Sequence, residues 1–134
     1  MPVISVPLAL RLREAGLRWE PARGDRFVIP GRGMDHEVFV LSDMTVEVQH
    51  FPTGPVIGFN GTVEWALDSV EVASALWLPD EPALRARLGG TFVSLRRDGE
   101  RYGVELSVVG RRVVVESADP AEAYGLALLH LITG

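Results

Sequence analysis

The chain has 134 residues, a formal net charge of −5, 47% hydrophobic content and no cysteine. That length fits one domain with a sizeable core. The missing thiols exclude disulfides, cysteine nucleophiles, cysteine zinc sites and iron–sulfur clusters. All 13 basic residues are arginine, so a lysine-dependent phosphate loop is excluded too.

The charge is unevenly spread. Residues 1–32 carry six arginines against Glu14, Glu20 and Asp25, whereas residues 33–84 carry nine acids and no basic residue. Residues 85–134 return to seven arginines and six acids. An acidic middle either attracts arginines from the two ends or presents a negative surface that repels nucleic acid and draws a basic partner.

In chain order, Ser5-Val6-Pro7 opens a helix as cap and first-turn proline, Leu8, Leu12 and Ala15 recur at helical spacing, and Gly16 stops it. The apolar stretch precedes the arginines, the reverse of a secretory signal, and no run is long enough to cross a membrane. A cytoplasmic protein without membrane contact is expected. The segment after the helix is punctuated by Pro21, Gly24, Pro30 and Gly31, leaving Arg26 to Ile29 as a short strand, with Trp19 as a core plug.

His36 to Leu41 and Met44 to Phe51 alternate with period two, and Ser42-Asp43 between them predicts an antiparallel hairpin. Thr53-Gly54-Pro55 predicts a turn before Val56 to Phe59. Asn60-Gly61 is strong two-residue hairpin chemistry, because both central positions of such a turn need positive φ. Thr62 to Ala66 then reads as the return strand, or as a short helix capped by Thr62; the hairpin is the expectation. Ala75 to Leu78 predicts a strand, Asp80 caps a helix over Glu81–Leu88, and Gly89-Gly90 ends it.

Residues 91–97, 101–108 and 111–116 predict a meander with turns at Asp98-Gly99 and Gly110. Asp119-Pro120-Ala121-Glu122 predicts a helix start with a capping box, and the helix runs from Pro120 to Ile132. That helix is apolar most of the way round, which calls for burial between sheet and another element or for pairing with a second copy. Together these elements predict a single α+β domain over residues 1–134. Its antiparallel sheet of hairpins and meander would carry N-terminal, central and C-terminal helices.

The strings GLRWEPARGDRFVIP, VFVLSDMTVEV, GFNGTVEWALDSV and WLPDEPALRARLGG resemble a family of short, uncharacterised bacterial proteins. The resemblance covers residues 8–90. Some members carry a pilus-assembly label; the phosphate loop that such an ATPase-like role requires is missing here. The resemblance implies no catalytic residues.

Chemistry-bearing constellations are sparse. His36 and His50 would approach across the expected hairpin as a weak metal pair, at a spacing no zinc motif uses. Glu64 and Asp68 would share a face only if their segment were helical. Trp19, Phe59, Trp65 and Trp77, with Glu64 and Asp68, are the candidate lining of a small-molecule pocket. Asp35, Glu37, Asp43 and Glu47 are candidates for a partner surface, and Leu126, Leu129 and His130 for self-association through the last helix. No catalytic residue and no cofactor are expected. The sequence favours a small, non-enzymatic interaction module binding a protein partner or itself, with an aromatic-lined ligand site or minor enzyme as the alternative.

Overall fold

Ser5 holds its extended backbone just ahead of helix α1 (Val6–Glu14) and accepts a hydrogen bond from the Leu8 amide, as the capping signal requires. The computed structural model describes residues 3–31, 34–41, 48–51, 54–58, 69–71 and 74–134; for 34–36, 48–51, 54–58 and 69–71 only the backbone is described. The chain parts into two compact units, residues 1–17 with 79–134, and residues 18–78. The fold class is α+β. Three helices lie at the N-terminus, centre and C-terminus, and every described strand pair is antiparallel.

The first unit contains α1, helix α2 (Glu81–Leu88), strands β7 (Phe92–Asp98), β8 (Arg101–Val108) and β9 (Arg111–Ser117), and helix α3 (Pro120–Thr133). Asp80 caps α2 by accepting from the Ala83 amide, and one turn of 3-10 helix, Gly89–Thr91, leads into β7. The strands form a meander in the order β7-β8-β9. Helix α3 lies on β8 and β9, and both α1 and α2 pack against α3. Its apolar circumference is thus covered within the chain: Ala121, Ala123, Tyr124, Gly125, Ala127, Leu128 and Leu129 are all buried.

The α1–α3 crossing is close. A Cβ on Gly125 would stand 2.7 Å from a Leu8 methyl and 3.1 Å from an Ile4 methyl, so only glycine lets α1 approach this far. The expected capping box of α3 does not form. Asp119 caps by accepting from the Ala121 amide, while its own amide donates to Ser117 Oγ. Glu122, freed from that duty, instead accepts from the amide and hydroxyl of Ser5. One carboxylate therefore serves the N-termini of two helices, where the helix dipoles favour negative charge.

The first meander turn differs from expectation in detail, and the second falls in the region of Gly110 as expected. Asp98 pairs with Arg101, so the first loop is Gly99-Glu100, one residue later than predicted. Val108 pairs with Arg111, making Val109-Gly110 the second loop, with φ of 50° and 77°. Both central residues are left-handed, the geometry of a type I′ turn. Val109 is a β-branched residue held there while 97% exposed, a conformation that costs an L-residue about 1–2 kcal/mol. Replacing it with the preferred turn residue, Val109→Asn, should raise stability by about 1 kcal/mol in a denaturant titration.

The second unit holds two three-stranded sheets. One has the order β2-β1-β6, from β1 (Arg26–Ile29), β2 (Met34–Val40) and β6 (Leu76–Leu78). The other has the order β3-β4-β5, from β3 (Val48–Phe51), β4 (Gly54–Gly58) and β5 (Ser69–Glu71). Two expectations are corrected here, and a third falls partly outside the described residues. Strand β2 pairs with β1, with Phe39 opposite Phe27 and their rings stacked 5.6 Å apart; the expected hairpin between 36–41 and 44–51 turns on residues 42–47, which lie outside the described residues. Gly54 and Pro55 open β4 instead of forming a turn, with Gly54 opposite Phe51. An Asn60-Gly61 two-residue loop would place Val63 opposite Gly58; Ser69 stands there. The Asn60-Gly61 turn itself and the strand-or-helix question over Thr62–Ala66 lie outside the described residues.

Asp25 organises the start of this unit. Its Oδ2 accepts from the Trp19 indole at 2.8 Å and from the Ala22 amide at 3.0 Å, and its backbone carbonyl accepts from the Leu41 amide at 2.9 Å. Trp19 packs on Phe27 with ring centroids 5.3 Å apart, beside the buried Ile29, Leu41 and Ala75. Asp25→Ala should cost about 1.5–3 kcal/mol, the loss expected for hydrogen bonds to a charged acceptor. Asp25→Asn should keep part of it, and the two can be ranked by chemical denaturation of the full chain.

Candidate interaction surface

The outer face of the meander, opposite α3, follows from strand alternation. Val104 and Leu106 are fully buried on the inner side of β8, so Gly103, Glu105 and Ser107 point outward. The register places Ser94 and Val114 opposite Glu105, and Arg112 opposite Ser107. Glu105 is the buried charged residue among those described, its side chain 11% exposed. Two guanidiniums lie over it: Arg96 from β7 at 3.3 Å, and Arg112 from β9. Along the same face Arg101 meets Glu116 at 3.3 Å.

Arginine suits this arrangement because its flat group can cover a carboxylate while its outer nitrogens stay in water. The two arginines remain 72% and 64% exposed, so they retain free donor capacity. Ser94 Oγ, opposite Glu105, is covered and has no hydrogen-bond partner. Removing both arginines (Arg96→Ala with Arg112→Ala) strands a mostly buried carboxylate and should cost about 1–3 kcal/mol in denaturant titration; Glu105→Gln should cost less.

The expected site residues fall as follows. Trp19 is occupied structurally, its indole N–H given to Asp25 and its ring set on Phe27. Trp77 lies opposite Phe27 in the β1–β6 pairing and is buried. Phe59, Glu64, Trp65 and Asp68 lie outside the described residues, as do Asp43 and Glu47. Asp35 and Glu37 sit on β2, at the end of its sheet among the described strands, and Glu37 is exposed alongside Val38 and Val40.

His36 lies on β2, which pairs with β1, and His50 lies on β3, opposite Pro55 of β4; residues 42–47, which were to form the hairpin between them, lie outside the described residues. Among the described residues no group of three His, Asp or Glu could hold a metal ion. Leu129 is buried in its own unit and is not available to a second copy. Leu126 is half-buried, and His130 is exposed near the end of α3. The Glu105 cluster was missed from sequence. Its signal was a lone acid at the centre of an apolar strand, flanked in neighbouring strands by paired arginines.

Comparison with protein-family models, curated proteins and solved structures finds no match. The function therefore rests on the chain's own charge and geometry.

Proposed function

We propose that the chain is a small, non-enzymatic interaction module of the cytoplasm that receives a basic protein partner on its acidic segment, residues 33–84. The observation that carries this reading is the division of charge between the two units. Residues 18–78 contain four arginines and nine acids, while the other unit has nine of each. The chain's whole formal charge of −5 thus belongs to one unit.

Arg96, Arg101 and Arg112, three of the arginines able in principle to neutralise that segment, have carboxylate partners within the meander. The exposed Glu37, beside the exposed Val38 and Val40 on strand β2, offers charge and apolar surface together. Partner surfaces combine these features, with charge steering the encounter and apolar groups holding the complex.

The test is cross-linking of the full chain in cells, followed by mass spectrometry and binding of the recovered partner at increasing salt. Cross-links should map to residues 33–84, and affinity should fall as ionic strength rises from about 0.05 to 0.3 M. Reversing Asp35, Glu37, Asp43 and Glu47 to arginine should abolish binding. Binding indifferent to both salt and these reversals would remove the reading.

A further inference from the structure

Among the described strands the meander has two open edges, and they differ. Strand β7 carries an irregularity between Phe92 and Ser94 that breaks its register with β8. Such a bulge is a common guard against unwanted strand pairing. Strand β9 has no such guard: it pairs with β8 in unbroken register from Arg111 to Ser117, contains no proline, and no described strand pairs with its other side. Its sequence is RRVVVES, with Val114 55% exposed at the centre and Val113 and Val115 only partly buried.

Backbone polarity fixes which residues serve that open side. Val108 and Arg111 close a two-residue loop, so Arg111 bonds to β8; alternation then gives Val113, Val115 and Ser117 to β8 as well. The amides and carbonyls of Arg112, Val114 and Glu116 face outward. We infer that β9 is the seam of a homodimer, in which two β9 strands pair antiparallel about a two-fold axis at Val114. This register sets Val114 against its own copy, Val113 against Val115, and Arg112 against Glu116.

The charge complementarity selects this register over its neighbours, since a shift by one pairing step in either direction sets Arg112 or Glu116 against valine or leaves it without a β9 partner. It also joins two clusters already present. Arg112 lies over Glu105, and Glu116 meets Arg101. Across the seam these become one alternating row: Arg96, Glu105 and Arg112 of one copy, then Glu116 and Arg101 of the other. The result is a six-stranded sheet with helices on one face and a charged row on the other. This inference rests on β9, outside the proposed partner segment, and stands without it.

The experiment is sedimentation velocity on the full chain and on two charge reversals, Arg112→Glu and Glu116→Arg. Each reversal alone places like charges opposite each other twice in the dimer and should weaken dimerisation about tenfold or more. Mixed together, the two variants set opposite charges across both contacts and should form a heterodimer near wild-type affinity. That recovery separates a broken seam from a damaged fold.

A second measurement uses the lack of native cysteine. A hydrogen-bonded antiparallel pair holds its Cα atoms about 5.5 Å apart, within disulfide range. Val114→Cys should therefore oxidise to a covalent dimer much faster than Val109→Cys, which sits on the exposed loop. A wild-type monomer at high concentration would overturn the inference. So would a dimer unaffected by either reversal, or equal cross-linking at positions 109 and 114.

Discussion

Burial of α3 is the constraint on which the first unit depends. The helix presents apolar residues on nearly every side, and the meander alone covers one of them. Tyr124 shows how the rest is met: its ring lies 5.7 Å from that of Phe92 on β7, and Arg85 of α2 sits 6.0 Å from the ring centre. Helix α1 fills another side through Ile4 and Leu8 at Gly125. Neither short helix has much reason to hold its position alone, since helices of nine and eight residues are marginal in water. Their order is borrowed from α3, and Glu122 adds a polar tie to the apolar one.

Local signals carried far in this sequence wherever structure is local. Serine, aspartate and proline at helix starts placed all three helices, and the meander strands were legible to within a residue or so. Pairing over distance was not. Nothing in the alternation of residues 36–51 says that β2 should prefer β1, because that choice depends on Phe39 finding Phe27 and on β6 arriving from the far end of the segment. A two-residue turn signal at 60–61 argued for a near partner, and β4 took a distant one.

The candidate site was legible only in part. An acidic middle can be counted from the sequence, and its concentration in one unit follows from where the chain divides. The Glu105 cluster needs the register, since Arg96, Glu105 and Arg112 come from three strands and meet only when those strands align. Motif-like residues proved structural: Trp19, Asp25 and Phe27, prominent in GLRWEPARGDRFVIP, spend their polar and aromatic groups on one another.

The contrast between the two meander loops bears on where strain sits in the sheet. The Gly99 loop has a glycine at its left-handed position, so the β7–β8 hairpin closes without that penalty. Closing at Val109 holds a branched side chain in the left-handed region, a cost that the contacts of β9 with β8 and α3 must offset. The strand with the unguarded edge is thereby also the one joined to the sheet through the strained loop.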